Sequence, residues 1–262
     1  MDHLDSTSKA KLLKLLKKYE ELFDGTLGDF KTAPVRLELK TDAVPTYSRP
    51  FPVPRIHLET FKKEIKRLEK IGVLVKCSDS PWASPTFIIP KSDGTVGSVS
   101  DFRKVNAQLV RKPFPIPKIT DIMQQLEGFS HASALDLNMG YYTIRLDKSS
   151  QRICTIVTPW GKYQYQRLPM GVMCAPDIFQ DRMYDLMADI ECARTYLDDL
   201  LVLSRGSFSE HLDDLEKVLK QLSGANLRVN IRKCTFAADE ISYLGYILTR
   251  DGIKPHQKKS KL

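Results

Sequence analysis

Two adjacent carboxylates, Asp198 and Asp199, follow Tyr196 and Leu197 inside the mostly apolar run Ala193 to Leu203. Charges resist removal from water unless they are paired or bind a cation, so their place in a strand–turn–strand segment needs a cause. One is a tight hairpin whose two aspartates point into water. The other is a pair of divalent metal ions. Carboxylates holding two ions about 3.5–4 Å apart can drive displacement at phosphorus. One ion then activates an attacking hydroxyl while the other neutralises the leaving group. That chemistry needs at least one more carboxylate from elsewhere. Asp136 is the best candidate, because it ends the apolar strand pattern Ala132-Ser133-Ala134-Leu135-Asp136, at a sheet edge that could lie beside the hairpin. Alone, Asp136 reads more readily as a turn or cap residue; paired with Asp198 and Asp199, the balance reverses.

The elements that must position these residues follow from periodicity. Ser6-Thr7-Ser8 can cap a helix carrying Leu12, Leu13, Leu16, Tyr19 and Phe23 on one stripe and five lysines on the other. That basic face reads as solvated, with phosphate contact as the alternative. Residues 34–40 alternate as a strand, and Pro45, Pro50, Pro52 and Pro54 then enforce an extended stretch. A second helix holds Leu58, Phe61, Ile65 and Leu68 and ends at Gly72. Strand patterns follow at 73–77, 85–90 and 95–101, with the turn Lys91-Ser92-Asp93-Gly94 between the last two. Beyond Pro113, Pro115 and Pro117, a helix is expected through about residue 127. Strands are then expected at 132–136, 141–146, 152–158 and 162–167, and a helix at 175–190. After the Asp198-Asp199 hairpin come a helix at 209–223 and strands at 227–229, 234–237 and 240–248. Helices and strands mix without a βαβ rhythm, which predicts an α+β fold with a largely antiparallel sheet.

Composition narrows the function classes. The chain has 262 residues, a net charge of +8 and a pI of about 9.1, so a polyanionic partner is plausible. Its five cysteines are scattered without a Cys-x-x-Cys, which argues for reduced thiols in an intracellular compartment and against a structural zinc site. No apolar run reaches membrane-spanning length and the N-terminus is polar, so neither a membrane nor a secretory route is expected.

Six short blocks stand in a fixed order: Ser80-Pro81-Trp82-Ala83-Ser84-Pro85; Asp101-Phe102-Arg103-Lys104-Val105-Asn106; Leu135-Asp136-Leu137 with Gly140-Tyr141; Leu168-Pro169-Met170-Gly171 with Ala175-Pro176 and Phe179-Gln180; Tyr196-Leu197-Asp198-Asp199; and Tyr243-Leu244-Gly245-Tyr246. Together they resemble the reverse transcriptases of gypsy-type long-terminal-repeat retrotransposons, colinearly over roughly residues 15 to 255. The resemblance implies a right-hand polymerase with an antiparallel palm sheet packed on helices. It implies an N-terminal helix and lead-in over 1–45, fingers over 46–115 and 147–170, palm over 116–146 and 171–248, and the start of a truncated thumb over 249–262.

Residue by residue, the same resemblance implies Asp136, Asp198 and Asp199 as catalytic ligands of two Mg2+ ions (Mn2+ as a substitute), with Leu137 lending a backbone carbonyl. Tyr141 would lie beneath the sugar and exclude a 2′-hydroxyl, the rival reading being a core aromatic beside Tyr142. Met170 and Gly171 would line the nucleotide pocket, and Lys91 at the fingertip would meet the triphosphate. Tyr243, Leu244, Gly245 and Tyr246 would form the primer grip, against the rival of a plain core strand. Arg103 and Asn106 would organise the fingers. The implied partners are an RNA or DNA template with its primer, deoxynucleoside triphosphates, and protease, RNase H or integrase domains of a longer polyprotein. A cytoplasmic particle or the nucleus would house them.

One departure stands out. Family members usually place an arginine where this chain has Gly97, and an apolar or aromatic residue where it has Ser98. Loss of a guanidinium from a triphosphate removes a charge-assisted, often bidentate contact. Two readings follow: an RNA-directed DNA polymerase with weakened nucleotide binding, or a retrotransposon remnant that only binds nucleic acid. An unrelated metal-dependent phosphohydrolase is the third and least supported.

Overall fold

The computed structural model describes residues 3–90, 96–116, 128–250 and 252–255. Lys91 with its turn, and nearly all of the helix expected before residue 127, lie outside the described residues. The described strands are β1 (Leu74–Cys77), β2 (Ser84–Pro90), β3 (Val96–Ser100), β4 (His131–Asp136), β5 (Thr155–Thr158), β6 (Gly161–Tyr165), β7 (Ala193–Tyr196), β8 (Asp199–Ser204), β9 (Thr235–Ala238), β10 (Glu240–Tyr243), β11 (Tyr246–Thr249) and β12 (Gly252–Pro255). The chain divides into two compact units. One comprises Met1–Asp29, Phe114–Gly140 and Ile178–Leu262, the other Phe30–Pro113 and Tyr141–Asp177.

The first unit is built on a four-stranded antiparallel sheet in the order β7-β8-β4-β9. Ala132 and Leu135 of β4 and Leu200, Leu201 and Val202 of β8 are buried. The helix Phe208–Gly224 starts at a capping box, in which Ser207 and Glu210 each satisfy the other's backbone N–H. It buries His211, Leu215, Val218, Leu219 and Leu222. The N-terminal helix Ser6–Lys18 is capped by Asp5 rather than by the serines and threonine after it: the Asp5 carboxylate accepts from the Thr7 and Ser8 N–H groups at 2.8 and 2.9 Å. An antiparallel ribbon, β10-β11-β12, completes the unit. Ile241, Tyr243 and Leu248 of that ribbon share a core with Phe129, Ala132 and Leu201.

The second unit carries a five-stranded sheet, β1-β6-β5-β2-β3. Its one parallel pairing joins β2 to β5 through Ser84–Ile156 and Pro85–Val157. The helix Leu58–Lys70 buries Phe61, Ile65 and Leu68 and stops at Gly72 (φ +74°), a left-handed geometry that favours glycine.

Several expected strands take other forms. Residues 240–248 fold back at Leu244-Gly245 into the β10–β11 hairpin, because both turn residues adopt positive φ (49° and 80°) and bring Tyr243 opposite Tyr246. Residues 141–146 begin as a 3-10 turn, Gly140–Thr143, and only Arg145 and Leu146 form isolated bridges. Asp147 caps a short helix, Lys148–Ile153, by accepting from the Ser150 N–H at 2.8 Å, so the strand expected from 152 starts at Thr155. The 227–229 and 34–40 segments contribute only single bridges, at Val229, Val35 and Leu39.

Candidate active site

The hairpin that carries the two aspartates is tight. Tyr196 of β7 pairs with Asp199 of β8, leaving Leu197 and Asp198 as the turn. Leu197 sits at φ +54°, a left-handed conformation that costs an L-residue about 1–2 kcal/mol. Gln180, buried to 1% exposure, holds it there. Its side-chain carbonyl accepts from the Leu197 N–H at 2.7 Å, and its amide donates to the Thr195 carbonyl and hydroxyl at 3.2 Å each. Gly140 approaches the same turn closely. A Cβ there would stand 2.9 Å from the Phe179 ring and 3.6 Å from the Asp198 Cβ, so a side chain would force a shift.

Across the sheet, Asp136 is the register partner of Asp199. Directly opposed residues on neighbouring antiparallel strands have Cβ atoms about 5 Å apart. The Leu137 N–H donates to the Asp198 carbonyl at 3.1 Å, extending the pairing around the turn. Burial raises the Asp199 carboxyl above the usual carboxylate range, and the charges of Asp198 and Asp136 add to the rise. The opposing influence is Lys233, whose ammonium donates to both oxygens of Asp136 at 3.0 and 3.2 Å.

This donor set suits a hard divalent cation, which prefers oxygen ligands, and mutually repelling carboxylates are what such a cation relieves. Among the described residues, no three His, Cys, Asp or Glu side chains already stand in metal-holding geometry. Asp136 is turned to Lys233 instead.

The other expected site residues are distributed between the units. Tyr243 is buried, and burial raises its phenol, with Asp199 and Tyr196 adding to the rise. Its hydroxyl has no hydrogen-bond partner among the described residues. Leu244 and Tyr246 pack against the core that Tyr243 shares with β4 and β8, so the segment is a hairpin rather than a plain strand. Tyr141, Met170 and Gly171 belong to the second unit. There Tyr142 takes the core position, stacked 6.0 Å from Tyr165, while Tyr141 is half-buried. Met170 is 56% exposed. Gly171 (φ +91°) is followed by a loop that Asn106 fastens: its amide donates to the Gly171 carbonyl at 2.9 Å and its carbonyl accepts from the Met173 N–H at 2.9 Å. Arg103 is clamped on Asp101 through two hydrogen bonds, at 2.9 and 2.7 Å.

The family described as reverse transcriptase (RNA-dependent DNA polymerase) matches residues 89–248. The chain belongs to that family. The Pol polyprotein of transposon 297 from Drosophila melanogaster is 32% identical over 270 residues, covering 100% of this chain and 25% of the relative. That of transposon gypsy from the same fly is 33% identical over 241 residues, covering 88% and 23%. The chain thus spans about a quarter of the length of these curated relatives. Among solved structures, the foamy viral protease-reverse transcriptase in complex with RNA/DNA hybrid superimposes with a TM-score of 0.91 at 28% identity, over 98% of this chain and 35% of that one. The mixed helix-and-sheet architecture is therefore that of a reverse transcriptase. Among the described residues no helix is long and apolar enough to cross a membrane.

Sequence reasoning missed three features of this unit. Lys233 gave no signal beyond being one of many lysines. Gln180 stood in a recognised block, but its hold on Leu197 depends on a contact 17 residues away. The third is a buried polar chain behind β4 and β8. The Ala237 N–H donates to Ser133 Oγ at 2.9 Å, Ser133 Oγ lies 2.8 Å from His211 Nε2, His211 Nδ1 lies 2.9 Å from Ser204 Oγ, and Ser204 donates to Asp214 at 2.8 Å. A carboxylate only accepts, so Ser204 accepts from Nδ1–H. Burial, with the neighbouring His131, pushes the His211 pKa down to about 4, so at neutral pH the ring is uncharged and Ser133 donates to its Nε2.

Proposed function

We propose that this chain is the catalytic portion of an RNA-directed DNA polymerase, adding deoxynucleotides to a primer 3′-hydroxyl by two-metal phosphoryl transfer. The observation that carries this reading is the register pairing of Asp136 with Asp199, with Asp198 in the adjoining turn. Two bound Mg2+ ions, or Mn2+ in their place, would activate the hydroxyl and neutralise the leaving pyrophosphate. Asp136, Asp198 and Asp199 would hold those ions, with the Leu137 carbonyl as a further oxygen donor. Gln180 and the pairing around Leu137 would keep the carboxylates in place before substrate arrives.

The unit that holds the three aspartates would serve as palm, with the β10–β11 hairpin gripping the primer. The second unit would supply the fingers. Tyr141, Met170, Gly171 and Lys91 carry their nucleotide-binding roles by resemblance of sequence. The net charge of +8 supports a template–primer partner held mainly through phosphate and sugar, because a polymerase must accept any base sequence. The much longer relatives support a parent polyprotein with further domains, acting inside the cell.

Gly97, opposite Ile89 in the β2–β3 hairpin, favours a second reading in which nucleic acid is bound but not extended. Primer extension on an RNA template with magnesium separates the two. Incorporation that Asp198→Asn reduces by about a hundredfold or more supports the polymerase. A signal that survives that substitution refutes it. Binding without incorporation, even after Gly97→Arg, supports the remnant.

A further inference from the structure

The contact between Lys233 and Asp136 is more than an incidental surface pair. Lys233 ends the 3-10 turn Ile231–Lys233, and that turn is tied to the residue it neutralises. The Asn230 N–H donates to the backbone carbonyl of Asp136 itself at 2.8 Å. The Lys233 N–H then closes on the Asn230 carbonyl at 2.9 Å, and the Cys234 thiol bonds the same carbonyl at 3.3 Å. The backbone thus delivers the ammonium to both carboxylate oxygens of Asp136. The two partners differ in exposure: the lysine side chain is 63% exposed, the aspartate 18%. An ammonium on a four-carbon stem can swing into water at little cost, whereas an arginine fork would lock bidentately. The carboxylates stay where the sheet puts them.

We propose that Lys233 is a built-in counter-cation, covering the metal-binding oxygens of Asp136 while no divalent ion is bound and displaced when one arrives. Three carboxylates gathered at one sheet end repel one another, and Lys233 relieves part of that repulsion in the metal-free protein. Its release is a step that metal binding must complete, so apparent metal affinity is lowered by the strength of the lysine contact. The inference rests on Asp136 being a metal ligand.

The test is Mn2+ binding to the full chain, followed by electron paramagnetic resonance without nucleotide or nucleic acid, together with melting in EDTA. Lys233→Met and Lys233→Gln should each bind Mn2+ about fivefold to tenfold tighter than wild type, as expected for loss of a competing ion pair of ordinary strength. Lys233→Arg, which keeps the charge and adds a fork, should bind no tighter than wild type. Both neutral variants should melt lower in EDTA and regain more on adding Mn2+. Lys217→Met removes a comparable exposed contact, with Asp214, and should leave Mn2+ affinity unchanged. Equal or weaker Mn2+ binding by the neutral variants, while Asp136→Asn weakens it strongly, would overturn the counter-cation alone. Mn2+ binding indifferent to Asp136→Asn would overturn both the inference and the metal-ligand assignment beneath it.

Discussion

The two ends of the β4–β8 strand pair, roughly 16 Å apart at strand spacing, are built on opposite terms. Toward one end, Ser133 in the middle of β4 and Ser204 at the close of β8 are joined through His211 and on to Asp214 in a continuous hydrogen-bonded chain, tied to β9 through the Ala237 N–H. At the other end Asp136 and Asp199 face each other with Asp198 alongside, a left-handed Leu197 forms the turn, and one exposed lysine offsets part of the charge. The first end is saturated and holds strands in register. The second is left with repulsion that Lys233 relieves only in part. A sheet that fixes its register at one end can tolerate frustration at the other, and the frustrated end is where chemistry is to be sought.

The largest effect expected from this contrast lies at the saturated end. His211→Leu leaves the Ser133 hydroxyl without its acceptor and Ser204 without its donor, and a buried group left unsatisfied costs about 1–3 kcal/mol. A loss on the order of 3 kcal/mol is expected in denaturant unfolding. The same residue sets an acid limit. Its folded pKa is depressed, so its contribution is full above the unfolded value of 6.5 and is lost as pH falls through about 4. The wild type should lose about 3 kcal/mol across that window, and His211→Leu should lack this component. An unchanged acid limb in the variant would break the contrast.

A smaller effect of opposite sign is expected at the frustrated end. The folded pKa of Asp199 is raised by burial and by its acidic neighbours. Any favourable contribution from this group is therefore complete below the ordinary carboxylate pKa and lost as pH rises through the folded value. Ionised Asp199 opposes folding at neutral pH. Asp199→Asn should raise the melting temperature of the metal-free protein at pH 7 by roughly 2 °C, and the gain should vanish in acid. A fall in melting temperature would mean that the carboxylate stabilises the fold.

The chemically charged end was the more legible in sequence, because each of its segments carries its own local pattern. Tyr196 to Asp199 sit in one apolar run, and Asp136 closes a strand whose alternation is visible. Helix ends with their own signals were legible too, as at Gly72. The saturated end was not: Ser133 and His211 are 78 residues apart, and neither type announces a partner. Tyr141 to Leu146 reads as a strand by its β-branched and aromatic residues, yet the chain must turn at Gly140, where it passes under Phe179. The fold-back at Leu244 was hidden because leucine seldom takes positive φ, leaving Gly245 as the only hint.

Asp136 and Asp199, brought together by strand register, are expected to act as one unit. Single-nucleotide incorporation on an RNA template by Asp136→Asn, Asp199→Asn and the double variant tests it most directly. Residues that share one function lose it together, so each single variant should fall by about a thousandfold and the double should fall little further. Losses that multiply in the double variant, or a single variant that keeps its rate, would contradict the account.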